Sequence, residues 1–106
     1  MCSSDLFKAA AAGADWTKAP GMYLVLTDQA GRSSWPMTGA SFILMHKQQE
    51  KPDLAKEVLK FFDWAFKNGD AMASELDYVP MPDTVVSLIQ AAWKQQIKDA
   101  AGKPLY

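Results

Sequence analysis

The sequence has few of the residues that metal sites, disulfide frameworks and membrane spans require. Its 106 residues include one cysteine and one histidine. The lone cysteine, Cys2, cannot form an internal disulfide, and it has no metal-ligand partners at a suitable spacing. No apolar run approaches the roughly 20 residues that span a bilayer. The sequence therefore predicts no disulfide, no metal centre and no membrane-spanning segment.

An excess of charge of either sign is also missing. The chain has 11 lysine and arginine residues and 12 aspartate and glutamate residues, and its formal net charge is −1. The basic residues are scattered, so neither nucleic acid nor an anionic membrane is an expected partner. Apolar residues make up 49% of the chain, a share typical of a folded domain with its own core.

Two short apolar runs bounded by turn residues predict strands. Residues 41–45, Ser-Phe-Ile-Leu-Met, follow Pro36 and Gly39 and precede the charged Lys47. This pattern indicates a buried strand, although periodicity alone does not exclude a buried piece of helix. Residues 22–26, Met-Tyr-Leu-Val-Leu, are a second candidate strand. We expect the helices that follow to cover the strand at 41–45.

The clearest predicted helix begins at Pro52-Asp53 and ends at Asn68-Gly69, where we expect glycine to adopt a left-handed conformation. At about 100° per residue, its apolar residues share one broad face. They are Leu54, Ala55, Val58, Leu59, Phe61, Phe62, Ala65 and Phe66. Burying each phenylalanine stabilises a fold by about 1.5–3 kcal/mol, so this face should dock against a large apolar surface.

Shorter helical patterns occur at residues 7–14 and 70–76. Pro80 and Pro82 prevent a helix across residues 78–82, and the last helix is predicted to begin at residues 82–84. Its apolar face includes Ile97, and Gly102 with Pro104 is expected to end it.

No residue is predicted to be catalytic, ligand-binding or metal-binding, and no cofactor is expected. His46 has no partners at ligand spacing, so a solvent-facing strand end is the favoured interpretation. The turn at residues 38–41, Thr-Gly-Ala-Ser, offers hydroxyl and N–H groups to an anion, but no arginine adjoins it. A turn that leads into the strand is therefore favoured over an anion site.

Two larger groups of side chains also have both a functional and a structural interpretation. Asp70, Glu75 and Asp77 form an acidic cluster that suits acid–base catalysis in principle, but it lacks a nucleophile or metal partner. A solvated surface is favoured. The four tryptophans, Trp16, Trp35, Trp64 and Trp93, could form a sugar-stacking platform, but Trp93 lies on an apolar helix face, which favours core packing. We therefore expect no enzyme.

Several ordered blocks from Phe7 onward resemble one known family. They are GADW at 13–16, WPMT at 35–38, FILMHK at 42–47, LKFFDWAFK at 59–67, LDYVP at 76–80, PD at 82–83, AAWK at 91–94, IKD at 97–99 and GKPL at 102–105. They resemble the carboxy-terminal part of the periplasmic phosphate-binding proteins, the PstS family of ABC-transporter receptors. Ordered blocks over most of a chain are more specific than one short motif.

This resemblance implies an α/β fold class: a carboxy-terminal fragment of a type II periplasmic-binding-protein fold, mostly helical with one or two short strands. It implies a two-lobed periplasmic receptor that closes around inorganic phosphate and delivers it to an ABC permease in the inner membrane, without catalysis. The strand at 41–45 would then lie near the crossing between lobes, and the last helices would brace one lobe.

The phosphate-binding motifs of that family do not occur here, so the resemblance assigns no binding residue. In the family those motifs belong to the amino-terminal part and the middle of the chain. Residues 1–6 do not fit the family and have no signal-peptide pattern. We expect residues 1–6 to be a non-native start and residues 7–106 to be the carboxy-terminal segment of a receptor. The alternative is a freestanding helical module for protein interaction.

Overall fold

The structure, a computed structural model, describes residues 3–106, and Cys2 lies outside the described residues. Its helices are α1 Ser3–Gly13, α2 Pro52–Asn68, α3 Asp70–Glu75 and α4 Asp83–Gln96; its strands are β1 Gln48–Gln49 and β2 Lys98–Asp99; and 3-10 turns occupy Trp16–Lys18 and Pro20–Met22. The prediction of a mostly helical chain with one or two short strands is confirmed. Each predicted helix has a counterpart, and α1 begins at Ser3 rather than Phe7.

A first apolar cluster holds α1 against α4. Its buried members are Ala11, Trp16, Leu26 and Val85. The alanine side chains of α1 let its backbone lie close to its neighbours. The Trp16 indole N–H donates a 2.7 Å hydrogen bond to the Ala11 carbonyl, so the polar atom of this ring is satisfied inside the cluster.

A second apolar cluster joins α2 to the carboxy-terminal tail. Its buried members are Ala55, Leu59, Ile97 and Leu105. The Leu59 side chain is fully enclosed, with 0% exposed. The tail covers only a stripe of the predicted apolar face, because Leu54 and Phe61 remain 61% and 60% exposed. The expectation that this whole face docks on a large apolar surface is therefore not met within residues 3–106.

The predicted left-handed glycine at the end of α2 is wrong. Gly69 has φ −89° and ψ −9°, a right-handed conformation. A Cβ atom at this position would lie 2.5 Å from the Ala65 carbonyl oxygen. The Gly69 N–H donates to that same oxygen at 2.7 Å. Glycine is suited to this helix end because the backbone approaches its own preceding turn closely, not because φ is positive.

The predicted extent of the last helix is also wrong. α4 ends at Gln96, and Ile97 is extended, with φ −90° and ψ 111°. The side chain of Ile97 turns into the second cluster rather than continuing the helical face. The chain then enters β2, which pairs in parallel with β1 so that Gln48 lies opposite Lys98. Gly102, with φ 82°, lies in the turn after β2 rather than at a helix end.

The strands predicted at residues 22–26 and 41–45 do not form. The named strands within residues 3–106 are β1 and β2 alone. The predicted burial of residues 41–45 is wrong as well, because Phe42, Ile43 and Leu44 are exposed and Leu44 is 94% exposed. A strand needs a neighbour to pair with its N–H and C=O groups. No described segment provides that ladder beside residues 41–45.

Candidate functional site

The candidate site is an apolar cleft of about 300 Å³. Residues 40–45 form one long wall, and Met22, Met81 and Phe66 contribute to the rest of the lining. The facing wall comes from α4, through Ile89, Ala92, Trp93 and Gln96. Ala92 and Trp93 lie three and four residues after Ile89, and Gln96 lies four and three residues after them, so the four positions share one face of the helix. The cleft therefore lies between a helix face and a non-helical segment.

Two segments beside this cleft have backbone edges without a ladder; we name residues 23–26 and 41–45 the open arms. The Tyr23 and Phe42 rings lie 5.0 Å apart between centroids. Beyond the arms, the Asp28 N–H donates to the Pro36 carbonyl at 2.9 Å. Residue numbers rise from 23 to 28 while those of the contacted residues fall from 42 to 36, so the chain runs antiparallel between these two contacts. Among the described residues, no backbone hydrogen bond joins residues 23–26 to residues 41–45.

Burial along the first open arm alternates as it does in a half-buried strand. Leu24 and Leu26 turn inward, and Leu26 belongs to the first cluster, whereas Tyr23 and Val25 are exposed. The second open arm has apolar side chains exposed in succession. The first arm thus has the burial pattern of a strand, and neither arm has the hydrogen bonds of a sheet.

The first hydroxyl of the turn at residues 38–41 is bonded to the residues that precede the turn. Thr38 is buried, and its hydroxyl donates a 3.0 Å hydrogen bond to the Trp35 carbonyl. Ser41 is exposed beside the cleft. Arg32 is the only arginine of the sequence, and its side chain is exposed. The turn leads into the second open arm, but the strand that the favoured interpretation placed there does not form.

His46 and the acidic residues lie at the surface. His46 is exposed beside a shallow pocket of about 410 Å³ near the start of α2. Asp70, Glu75 and Asp77 are all exposed, on α3 or just after it. Within residues 3–106, no group of three histidine, cysteine, aspartate or glutamate side chains is placed to hold a metal ion. No helix in this part of the chain is long and apolar enough to cross a bilayer.

The four tryptophans do not form one stacking platform. Trp16 lies in the first cluster. Trp93 packs against Phe66 and Tyr106, with ring centroids 6.0 Å and 5.1 Å away. Trp35 contacts Phe7 of α1. Trp64 stacks on Phe61 of α2, and both of these rings are exposed. Core packing, the favoured interpretation for Trp93, agrees with this arrangement.

Sequence analysis missed a polar network that ties α2 to α4 and to the last residue. The Asp63 carboxylate accepts hydrogen bonds from the Tyr106 hydroxyl at 2.7 Å and from Gln90 Nε2 at 2.8 Å. It also pairs with Lys67 at 2.5 Å. Lys67 and then Tyr106 hold the pKa of Asp63 below its ordinary value. Burial first, and the Asp63 carboxylate second, raise the pKa of Tyr106 to about 12.

Part of this network has a sequence signal. Asp63 and Lys67 are four residues apart, the spacing of a helix-surface ion pair. Gln90 and Tyr106 lie 27 and 43 residues further along the chain, so no local pattern connects them to Asp63.

A second, local carboxylate contact lies at the end of α1. The Thr17 hydroxyl donates to Asp15 at 2.6 Å, and the Lys18 ammonium lies 2.9 Å from the same carboxylate. These two donors, Thr17 first, lower the pKa of Asp15 to about 2. Both charged side chains are well exposed, so the contact adds little to stability.

Several known proteins are similar in sequence to this chain. No family model matches the chain. The phosphate-binding protein PstS of Pasteurella multocida is 54% identical over 104 residues, which cover 98% of this chain and 30% of the relative. The protein of the same name from Haemophilus influenzae is 50% identical over 96 residues, or 91% of this chain and 29% of the relative. That of Xylella fastidiosa is 44% identical over 96 residues, with shares of 91% and 26%.

These relatives form one class, proteins named for binding phosphate. The particular protein named in each case is PstS, and the resemblance found in the sequence blocks is thereby confirmed: this chain is a PstS-family sequence. The chain spans about 30% of the length of the curated relatives it matches. The larger part of each relative has no counterpart in these 106 residues.

Proposed function

We propose that this chain is the carboxy-terminal part of a solute-binding receptor that captures inorganic phosphate and delivers it to an ABC importer. In this proposal, residues 7–106 supply scaffold and hinge-region elements, and other parts of the receptor supply the phosphate ligands. The receptor has the type II periplasmic-binding fold, works in the periplasm, meets an ABC permease and performs no catalytic step.

The observation that carries the proposal is the match to PstS of Pasteurella multocida, 54% identical over 98% of this chain. The shape of the chain supports the same view. An apolar cleft and two unpaired open arms suit a chain whose apolar surface another part of the same receptor completes. A self-sufficient domain would bury these surfaces itself.

The assignment of a scaffold role rests on what holds the helices together. The second cluster and the Asp63 network fix α2, α4 and the tail as one unit. Phosphate recognition uses convergent N–H groups, hydroxyls and arginine. Thr38 supplies a hydroxyl, but that hydroxyl donates to the Trp35 carbonyl, three residues earlier. The geometry therefore favours a bracing role over a ligand role for this segment.

A chimera tests the proposal directly. This chain replaces the segment that it matches in PstS of Pasteurella multocida, and calorimetry measures inorganic phosphate binding. We expect the chimera to bind phosphate and the chain alone not to bind it. As a control, Ser41→Ala in the chimera should change the dissociation constant by less than about twofold, because no ligand is assigned to that turn.

Three results would contradict the proposal or a part of it. A folded chimera that fails to bind phosphate would show that this chain cannot serve as part of the receptor. Micromolar phosphate binding by the chain alone would show that a site lies within residues 1–106. A large loss of affinity in the Ser41→Ala chimera would overturn the scaffold assignment specifically.

A freestanding interaction module is the second candidate, and one observation favours it. The exposed rings of Phe61 and Trp64 stack on each other along α2, with centroids 6.5 Å apart. This exposed apolar surface suits a partner helix or a second copy of the chain. Chromatography with mass detection discriminates the two proposals. A defined dimer favours the module, and a heterogeneous mixture of sizes favours the receptor fragment.

A further inference from the structure

We propose that Asn68 is a site of spontaneous deamidation, where the joint between α2 and α3 converts to aspartate and isoaspartate when the last turn of α2 opens. Asn68 is the only asparagine of the sequence, and a glycine follows it. The inference concerns a chemical modification of the chain, and it does not depend on the proposed function.

The reaction uses only groups of the chain and water. The backbone nitrogen of Gly69 attacks Cγ of the Asn68 side chain, and a cyclic imide closes as the bond from Cγ to Nδ2 breaks. Nδ2 leaves as ammonia, which carries away the proton of the Gly69 nitrogen. Water then opens the imide at either carbonyl, so the product is aspartate or isoaspartate. Glycine favours the attack because it has no Cβ atom to hinder the approach.

In the closed helix, both reacting groups are bonded to carbonyls of the preceding turn. The Gly69 N–H donates to the Ala65 carbonyl at 2.7 Å. Asn68 Nδ2 donates to the Trp64 carbonyl at 2.9 Å. Asn68 is the last residue of α2, and helical dihedrals do not bring the following nitrogen onto the Cγ of the same residue. Ring closure therefore requires both hydrogen bonds to open.

The location of the two groups lets them open without global unfolding. Asn68 is exposed, and neither Asn68 nor Gly69 belongs to the buried clusters. The helix that follows, α3, has six residues, and a helix this short has little stability of its own. Helix ends open at a lower free energy than a buried core does. The last turn of α2 can therefore open while both clusters stay packed.

Either product alters the joint at which the two helices meet. Gly69 is the single residue between α2 and α3, and its carbonyl accepts a 2.8 Å hydrogen bond from the Ala73 N–H. Isoaspartate adds a carbon atom to the main chain just before Gly69, which displaces the groups that bond to Ala65 and Ala73. Aspartate puts a negative charge at the carboxy-terminal end of α2, where the helix dipole disfavours it, and its carboxylate cannot donate to the Trp64 carbonyl. The modification should therefore loosen α3.

The experiment is ageing of the purified chain at mildly alkaline pH. Each event adds one negative charge to a chain whose formal net charge is −1, so anion-exchange chromatography separates the product. Mass spectrometry of its peptides then locates the modified residue. The same chain unfolded in guanidinium chloride gives the rate without the helix. We expect the folded chain to react about 5- to 30-fold more slowly than the unfolded chain, the ratio for local opening of a helix end.

Two variants test the site and its effect. Asn68→Gln should abolish the acidic product, because glutamine has one more carbon atom and must close a larger, slower ring. Asn68→Asp carries the charge of one product from the start. We expect the Ala73 amide of Asn68→Asp to exchange with solvent about two- to fivefold faster than in the parent chain.

The ratio of the two rates decides the inference. Equal rates would show that the helix does not control the reaction, and a ratio above about 1,000 would show that only global unfolding permits it. Either result overturns the inference, and any ratio between those limits supports local opening. An equal amount of acidic product from Asn68→Gln would overturn the site, and unchanged exchange of the Ala73 amide in Asn68→Asp would overturn the effect on α3.

Discussion

Replacing Leu59 by alanine should destabilise the chain more than any exposed leucine change in the same helix. Leu59 is 0% exposed at the centre of the second cluster. The change removes about three carbon atoms, which is worth about 2.4 kcal/mol in transfer free energy at about 0.8 kcal/mol for each. The cavity left behind adds to this, so we expect a loss of about 2.5–5 kcal/mol in the free energy of unfolding.

Leu54→Ala is the matched control, because it makes the same chemical change on α2 at a position that is 61% exposed. With roughly two fifths of the side chain hidden, the transfer loss is about 1 kcal/mol at most, and no cavity forms. Urea unfolding followed by circular dichroism at 222 nm, a helix signal, measures both losses. Equal destabilisation by the two variants would refute the assignment of Leu59 to the core. If Leu59→Ala does not fold, Leu59→Met, expected to cost under about 1.5 kcal/mol, provides the comparison.

Three further predictions follow from the polar contacts and from one glycine. Tyr106→Phe removes the hydroxyl that donates a hydrogen bond to the Asp63 carboxylate, so the pKa of Asp63 should rise. An unchanged Asp63 pKa in a carboxyl titration by NMR would contradict this. The pKa of Asp15 is lowered from 3.8 to about 2. Its small contribution to stability is therefore present above pH 3.8 and is lost as pH falls towards 2. The titration midpoint of the Asp15 carboxyl, measured by NMR, should lie near 2, and a midpoint near 3.8 would refute the contact. Gly69→Ala should lower the melting temperature, because a Cβ atom there would lie 2.5 Å from a backbone oxygen. Gly39→Ala is the control, because a Cβ atom at Gly39 would have no neighbour within 4 Å. Equal changes in the melting temperature of the two variants would contradict the close approach at Gly69.

The helices could be predicted because their signals are local. Pro52 and Asp53 mark the start of α2, and its apolar spacing is that of a helix, so the predicted and observed bounds agree. The end of α4 could not be read in the same way. Ile97 continues the apolar spacing of the helix, but its burial in the second cluster pulls the backbone into an extended conformation. Tertiary packing overrides the periodic pattern at that residue.

The strands could not be predicted, because the pairing of a strand depends on residues that are distant in the chain. Residues 41–45 have the composition of a buried strand, but pairing depends on a neighbour that no local pattern supplies. Leu44 is therefore exposed although its sequence context predicts burial. The cleft could not be predicted either, because it depends on how α4 lies against a segment more than forty residues earlier in the chain. The sequence blocks, by contrast, were sufficient to identify the PstS family.

The central claim is that this chain braces a phosphate receptor and does not itself hold the anion. Calorimetric titration of inorganic phosphate into the chain alone and into the Pasteurella multocida chimera, side by side, tests it most directly. We predict heat of binding with a single saturable site for the chimera and none for the chain. Saturable micromolar binding by the chain alone, or a folded chimera that takes up no phosphate, would contradict the claim.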